Sequence, residues 1–399
     1  MAGEGEFPES DVPVESMDAE DLKDRLDGGE PTTILDVRAE SEFDEWHVEG
    51  ETAEVENVPY FEFLDGADEE LLARVPEADP LVVVCAKGGA SEYVAGQLQT
   101  EGRNAVNLDD GMNGWASVYE RHEVTRYDGE GTVYQYQRPS SGCLGYLVVG
   151  REEAAVVDPL RAFADRYRSD AADLGVDLAY AIDTHVHADH VSGVRRLADL
   201  GAEAVVPAPA VARGIDYDVE YTTVEDGETV SVGGVGGVDV EVIHTPGHTT
   251  GMTSYLVDGS VLLTGDSLFT ESVARPDLEE GAEGAPDAAR QLHETLRDRV
   301  LSLPDETVVA PGHFGPAADP ADDDTYTARL GDLRESLAVL SMDRDEFVEY
   351  VVADMPPRPA NFEDIIAVNL GREDVDDEDA FALELGPNNC AATADAPGD

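Results

Sequence analysis

The segment 184–190 reads THVHADH and places three histidines and one aspartate within seven residues. It follows the apolar run LAYAI at 178–182, as a loop after a buried strand would. Three further short motifs come later in the chain: HTPGHT at 244–249, TGD at 264–266 and PGH at 311–313. Each lies just past an apolar run, in a loop where side chains from different strands can converge.

The side chains in these motifs are of the types that hold metal ions. Imidazole and carboxylate together suit iron, zinc or manganese, and the absence of cysteine from the motifs excludes a soft thiolate site. Seven of the nine histidines lie between His185 and His313, and six of them fall in these motifs, where His244 stands just ahead of the ligand pattern. The histidines outside the pattern are expected to be structural, namely His47, His122, His244 and His293. The candidate metal ligands are His185, His187, Asp189, His190, His248, Asp266 and His313.

Many short apolar segments surround the motifs over residues 126–399. Helical patterns lie between them at 164–175, 191–201 and 287–303. Two β-rich halves covered by helices predict an αββα sandwich. The glycine run GGVGG at 233–237 lacks the spacing of a dinucleotide fingerprint and is expected to form a turn, so no organic cofactor site is predicted.

Residues 15–125 show a different pattern, in which strands alternate with helices. Ser16 followed by MDAEDLKDRL and Gly28-Gly29 predicts a capped helix, and TTILDV and LVVV predict buried strands. This alternation indicates a parallel α/β sheet with its site at the carboxyl ends of the strands. Cys85 follows one such strand and precedes a helix, where backbone N–H groups and the helix N-terminus favour a thiolate and would bind an anion that attacks it.

The charge of the chain excludes several partners. With 88 acidic and 25 basic residues the net charge is −63, which repels nucleic acid and anionic membranes. Only two of the basic residues are lysines, Lys23 and Lys87. An acid-rich, lysine-poor chain with an ordinary apolar share indicates adaptation to molar salt, where charges are screened over roughly 3 Å. The protein is therefore expected to be halophilic.

The compartment is expected to be the cytoplasm. No apolar run approaches the roughly 18 residues of a membrane span, and residues 1–14 form an acidic, flexible N-terminus without a secretory pattern. The three cysteines are an odd number, far apart and without C-x-x-C spacing, which fits a reducing compartment and leaves room for a catalytic thiol.

The first domain resembles the rhodanese family. The resemblance rests on LDVRAESEFDEWHVEGE (35–51), NVPY (57–60), VVVCAKGGAS (82–91) and LDDGMNGW (108–115). It implies that Cys85 accepts a sulfane sulfur as a persulfide, which Lys87 and the loop amides stabilise. Ala90 stands where many rhodaneses carry arginine, which weakens the case for thiosulfate as the sulfur donor. Asp36 and Arg38 are predicted to form a structural ion pair.

The second domain resembles the metallo-β-lactamase superfamily over nearly all of residues 126–399. Within it, GDSLF (265–269) and ARPDL (274–278) resemble persulfide dioxygenases, also called sulfur dioxygenases, of a haloarchaeal type. The family usually has threonine between the arginine and the aspartate of this segment, where this chain has Pro276. In this respect the chain resembles the multidomain branch of the family, whose members carry rhodanese modules. The segments 356–371 and 384–392 resemble the helical C-terminal extension of that branch. The resemblance implies substrate binding by Arg275, and Cys390 has no assigned role.

The ligand set is complete for two metal ions, so counting residues leaves both a dinuclear zinc hydrolase and a mononuclear iron oxygenase open. The persulfide dioxygenase resemblance implies one Fe(II) per chain, held by His185, His248 and Asp266. Two histidines and one carboxylate leave about three open positions for a persulfide sulfur and O₂. The other four candidates would then be hydrogen-bonding groups around the metal or the remnant of a second site.

The expected function is oxidation of a low-molecular-weight thiol persulfide with O₂ to sulfite. The rhodanese domain would supply persulfide or combine sulfane sulfur with sulfite to form thiosulfate, and a homodimer is possible. The alternative is a dinuclear zinc thioesterase resembling glyoxalase II, which gives no reason for a sulfur-transfer domain. A third class, a non-catalytic sulfur sensor or carrier, would need Cys85 but not the metal ligands.

Overall fold

The structure is a computed structural model that describes residues 12–234, 236–353 and 355–392 of the 399-residue chain. The chain folds into two compact units, one up to Tyr119 with Arg138–Ser141 and one formed by Glu120–Gln137 and the chain from Gly142 onward. The flexible N-terminus predicted for residues 1–14 lies, up to residue 11, outside the described residues. Within the described ranges, every helix is too short or too polar to cross a membrane.

The first unit is a parallel sheet flanked by helices, which confirms the predicted α/β class. Its described strands, which lie in the order β1-β5-β4-β2-β3, are β1 (Ser16–Met17), β2 (Thr32–Asp36), β3 (Ala53–Asn57), β4 (Leu81–Val84) and β5 (Ala105–Leu108). The described helices are α1 (Ala19–Asp27), α2 (Glu40–Glu45), α3 (Glu69–Leu72), α4 (Gly89–Thr100) and α5 (Gly111–Ala116).

Both faces of this sheet are buried. Leu35 and Val83 pack into one apolar cluster, while Ile34, Val82 and Val84 pack into a second cluster on the opposite face. Successive residues of a strand point to opposite faces, so a strand covered on both sides has an uninterrupted apolar sequence. This explains why the runs ILDV and LVVV signalled buried strands so clearly.

The prediction that Ser16 caps the first helix is wrong. Ser16–Met17 form strand β1 and pair with Asn107 and Leu108 of β5, and α1 begins at Ala19 after Asp18. The predicted glycine stop is confirmed, because Gly28 ends the helix and Gly29 follows with φ +69°. A serine before an acidic run is a local capping signal, whereas pairing with a strand 91 positions away is not visible locally.

The second unit contains two packed sheets. Along the first sheet the order is β12-β11-β10-β9-β8-β7-β6, and its described strands are β6 (Glu120–Glu123), β7 (Thr132–Arg138), β8 (Cys143–Val149), β9 (Glu153–Val157), β10 (Asp177–Ile182), β11 (Glu203–Pro207) and β12 (Tyr221–Val224). The second follows chain order with β13 (Thr229–Val232), β14 (Val238–His244), β15 (Thr253–Val257), β16 (Val261–Gly265), β17 (Val308–Pro311) and β18 (Ala328–Arg329). Because β6 joins this unit, residues 120–125 belong with it and not with the first domain, where the sequence placed them.

The core of the second unit lies between its sheets. Tyr146 and Val157 from the first sheet meet Val242 and Leu263 from the second in one buried cluster. Between β13 and its antiparallel neighbour β14, the positive φ angles of Gly233, Gly234 and Gly236 agree with the predicted turn.

Helices cover the outer faces of both sheets, which confirms the αββα sandwich. The described helices are α6 (Ala164–Asp173), α7 (Val194–Asp199), α8 (Ala208–Val211), α9 (Gly281–Thr295), α10 (Leu330–Ser336), α11 (Arg344–Ala353), α12 (Phe362–Asn369) and α13 (Asp377–Leu383). A further cluster joins Leu256 and Leu262 of the second sheet to Leu292 of α9 and Phe347 of α11. In the predicted C-terminal extension, α12 lies within the segment 356–371, and α13 lies between that segment and 384–392.

Candidate metal centre and thiol site

The predicted metal ligands lie in the loops that follow four strands of the second unit. The segment 184–190 follows β10, His248 follows β14, Asp266 follows β16 directly and His313 follows β17. Although these strands belong to different sheets, the loops meet at one edge of the sandwich, and all seven side chains are buried. The structure therefore brings together residues that are up to 128 positions apart.

Three of these side chains form a compact group. His185 Nε2 lies 3.8 Å and His248 Nε2 lies 3.5 Å from Asp266 Oδ2. All three atoms are buried and have no hydrogen-bond partner in the described structure. Unpartnered polar atoms are costly in a protein interior, and one metal ion would satisfy all three. The residues present therefore fit a metal held by two histidines and one carboxylate.

Hydrogen bonds at Nδ1 fix the ring orientations of His185 and His248. His185 Nδ1 lies 2.9 Å from Thr184 Oγ1, which itself donates to Asp158 Oδ2 at 2.9 Å. His248 Nδ1 donates to the Arg275 carbonyl oxygen at 2.9 Å. A proton on Nδ1 leaves the lone pair of Nε2 free to bind a metal. Burial, and for His185 also the neighbouring His187, lowers the pKa of both rings, which favours the neutral form that binds metal.

His313 has a different environment. Its Nδ1 lies 2.8 Å from Asp266 Oδ1 and its Nε2 lies 2.7 Å from Asp189 Oδ2. Burial alone would lower the pKa of His313, but the two carboxylates raise it well above its usual value, so the ring donates from both nitrogens. Burial in turn raises the pKa of Asp266, and His313 and the other histidines more than offset this and leave it below its usual range. Asp266 is thus an anion with Oδ2 free.

The remaining candidates are engaged with carboxylates. Asp189 Oδ2 also accepts from His190 Nδ1 at 3.0 Å, so this one carboxylate oxygen is shared by His190 and His313. The ring of His187 lies beside that of His185, at 4.2 Å between centroids, but its Nε2 is 3.1 Å from Asp158 Oδ1, and it clusters with Asp158 and Asp183 instead of the compact group.

Arg275 has contacts that differ from the expected substrate-binding role. Its guanidinium forms a two-pronged ion pair with Asp277, at 2.7 and 3.2 Å, and donates to the carbonyl oxygens of Pro357 and Asn389. The side chain is only 1% exposed. These bonds use all three guanidinium nitrogens. They hold Arg275 in place, and the carbonyl oxygen of Arg275 is the group that orients His248.

Two cysteines lie in the cluster, although the sequence motifs contain none, so the exclusion of thiols from the site is corrected. Cys143 Sγ lies 3.2 Å from Asp189 Oδ2. Cys390, fully buried, groups with Asp266 and His313, and burial raises the pKa of its thiol well above the usual value. Neither has a local motif. Cys143 is placed by a β-bridge to His313, and Cys390 by a hydrogen bond from the Arg275 backbone N–H to its carbonyl.

The thiol site of the first unit follows strand β4. Cys85 is 5% exposed, and Ser91 Oγ lies 3.1 Å from its Sγ. Gly88, at φ +85°, precedes the 12-residue helix α4, whose N-terminus favours negative charge, and Lys87 is exposed in the same loop.

The predicted structural ion pair of the first unit is confirmed. Arg38 Nε and Nη2 lie 3.0 and 2.7 Å from Asp36 Oδ2, and both side chains are buried.

Comparison with known proteins agrees with this geometry. Residues 140–313 match the model of the metallo-β-lactamase superfamily, and residues 18–118 match that of the rhodanese-like domain. The chain contains a metallo-β-lactamase superfamily domain. It carries a rhodanese-like domain ahead of the metallo-β-lactamase domain, which confirms both predicted resemblances.

The relatives include persulfide dioxygenases. The mitochondrial persulfide dioxygenase ETHE1 of Homo sapiens is 29% identical over 201 residues, which cover 48% of this chain and 73% of that protein. The crystal structure of ETHE1 from Myxococcus xanthus is similar with a TM-score of 0.50 and 28% identity, covering 60% of this chain and 98% of that chain. A metallo-β-lactamase from Staphylococcus aureus subsp. aureus COL has a TM-score of 0.53 and 25% identity, covering 62% and 74%. These relatives support an enzyme with a metallo-β-lactamase fold.

Proposed function

We propose that the metallo-β-lactamase domain is an iron-dependent persulfide dioxygenase and that the rhodanese domain transfers sulfane sulfur through Cys85. The observation that carries the proposal is the group of three unpartnered buried atoms on His185, His248 and Asp266. The overall reaction is RSSH + O₂ + H₂O → RSH + SO₃²⁻ + 2 H⁺, in which the outer sulfur is oxidised and O₂ is reduced. The persulfide dioxygenase relatives support this choice of chemistry.

Each residue has a distinct part in holding the site. His185, His248 and Asp266 would hold one Fe(II). Bound there, the ion would supply open coordination positions at which persulfide sulfur and O₂ meet. His313 occupies Asp266 Oδ1, so that only Oδ2 of this carboxylate faces the metal position. Burial of all three ligands keeps bulk water from the site.

Sulfur transfer through Cys85 balances without an added oxidant. The Cys85 thiolate attacks the outer sulfur of RSSH, the S–S bond of the donor breaks, and RSH leaves with the proton. Sulfite then attacks the outer sulfur of Cys85–S–S⁻, which releases S₂O₃²⁻ and restores the thiolate. Ser91 Oγ and the N-terminus of α4 stabilise the sulfur anion. Carrying both activities on one chain raises the effective concentration of their shared intermediates.

A second candidate function is the dinuclear zinc thioesterase. One observation favours it: Asp189 Oδ1 and His190 Nε2 are also buried without a hydrogen-bond partner in the described structure. Those atoms would help to hold a second ion beside the first, and a metal-bound hydroxide would attack the thiol ester. The hydrogen bond between His313 Nε2 and Asp189 Oδ2 weighs against it, because neither of these two atoms is then free to bind a second ion.

The metal content separates the two candidates. Protein prepared without added metal should contain one iron per chain and consume O₂ with a small thiol persulfide. Asp266→Ala removes the only anionic ligand of the compact group, so iron content and O₂ uptake should fall together. His190→Ala is the matched control and should keep its iron. Two zinc ions per chain, thioester hydrolysis and no O₂ uptake would overturn the dioxygenase proposal.

A further inference from the structure

The C-terminal extension inserts one polar side chain against the metal-binding loop. Asn369, the last residue of helix α12, is 4% exposed. Its Nδ2 donates to the carbonyl oxygens of His187 at 3.0 Å and His190 at 2.8 Å. Its Oδ1 accepts from the backbone N–H of Ser192 at 2.8 Å. One side chain therefore binds three backbone groups within six residues of the loop.

The chemistry of this contact is specific to a carboxamide. A side-chain amide offers two N–H donors and a carbonyl acceptor, and Asn369 uses both kinds of group on buried partners. Aspartate has the same size but no donor, and it would place negative charge against two carbonyl oxygens. Buried backbone groups that lose their partners destabilise a conformation, so the side chain restricts which loop geometry is stable.

The loop is held at two ends by different parts of the domain. At its start, Asp158 accepts from the Thr184 backbone N–H at 2.7 Å and from Thr184 Oγ1 at 2.9 Å. At its end, the extension supplies Asn369 and also Glu384, which accepts from the Val191 backbone N–H at 3.0 Å. The central residue Asp189 makes its side-chain bonds between these two anchors.

We propose that Asn369 is a positioning residue through which the C-terminal extension sets the geometry of the metal centre. The inference rests on the proposed metal position at His185, His248 and Asp266, and it does not depend on the identity of the substrate. The connection runs from the loop to Asp189, which bonds His313, which bonds Asp266. Releasing the end of the loop moves Asp189 and frees Asp266 to leave its productive orientation, so the metal is held less tightly.

The test compares the same substitution at two asparagines, one before the start and one at the end of helix α12. Asn369→Asp removes both donors to the loop. Asn361→Asp is the matched control, because Asn361 lies at the exposed start of α12 and donates to the Leu383 carbonyl inside the extension. Loss of a residue that supports metal ligands typically weakens metal affinity by about 10- to 100-fold, and Asn369→Asp should fall in that range while Asn361→Asp stays at the wild-type value.

Metal affinity is measured by competition with a chelator, using Co(II) as well as Fe(II). The visible spectrum of the Co(II) protein reports ligand geometry, and Asn369→Asp should change it while Asn361→Asp leaves it as in the wild type. Equal affinity and an equal spectrum in Asn369→Asp and wild type would overturn the inference. If Asn369→Asp does not fold, Asn369→Ser takes its place with the same expectations.

The same measurements separate this inference from the proposed function. If the wild-type protein binds no metal, both the proposed metal centre and the inference about Asn369 are wrong. If the wild-type protein binds metal but does not consume O₂, the dioxygenase proposal is wrong. The role of Asn369 is then still decided by the ratio of the metal affinities of wild type and Asn369→Asp.

Discussion

Neighbouring groups give different protonation states to three histidines of the site, His185, His248 and His313. His185 and His248 contact a hydroxyl and a carbonyl through Nδ1, and burial lowers the pKa of each ring. His313 lies between two carboxylates, which raise its pKa. The first two are therefore neutral and able to bind metal, while the third is a hydrogen-bond donor that fixes Asp266. Sequence motifs do not distinguish these states, because all three residues are loop histidines after apolar strands.

Sulfur transfer in the first unit is expected to depend on the thiol of Cys85. Cys85→Ser should abolish sulfur transfer, because a hydroxyl cannot carry a sulfane sulfur, while O₂ uptake with a supplied thiol persulfide should largely survive. The measurement is thiosulfate formation from persulfide and sulfite beside O₂ consumption in the same preparation. Complete loss of O₂ uptake in Cys85→Ser would contradict two independent sites.

Among the elements of the rhodanese domain, the start of helix α5 supports the Cys85 loop. The Met112 backbone N–H donates to the Cys85 carbonyl oxygen at 2.7 Å. Gly111 has φ +56°, and a Cβ atom there would lie 2.1 Å from that same oxygen. Only glycine permits this approach of one element to the other.

Gly111→Ala should therefore destabilise the rhodanese domain and reduce sulfur transfer. The positive φ angle costs about 1–3 kcal/mol in a residue with Cβ, and the clash adds to it. Gly29→Ala is the control, since Gly29 has φ +69° but no atom within 4 Å of its Cβ position. Urea unfolding gives the difference between the two variants. If Gly111→Ala and Gly29→Ala lower the free energy of unfolding by the same amount, the close contact with the Cys85 carbonyl does not contribute to stability.

At the scale of the whole molecule, charge dominates. A net charge of −63 repels itself more strongly when the screening length grows from roughly 3 Å in molar salt to roughly 10 Å at about 0.1 M. Most acidic side chains lie on the surface, where the 25 basic residues cannot neutralise them. The fold is therefore expected to depend on salt.

Melting in molar KCl should occur at least about 5 °C above melting in dilute buffer, which corresponds to about 2 kcal/mol for a domain of this size. Sucrose stabilises proteins by exclusion from their surface without screening charge, so it is the control. An unchanged melting temperature in KCl, or an equal rise in sucrose, would contradict adaptation to salt.

Local patterns in the sequence determined the buried strands, the parallel sheet of the first unit, the sandwich of the second and the loops that carry His185, His248 and Asp266. They did so because apolar periodicity and strand-end motifs are properties of neighbouring residues. Only the tertiary structure decided that Ser16 lies in a strand, that Cys143 and Cys390 reach the metal cluster, and that Asn369 binds the loop. Each of these contacts joins segments about 50 to 200 residues apart, and such a pairing is selected by packing and hydrogen-bond satisfaction across the whole fold, which no local pattern records.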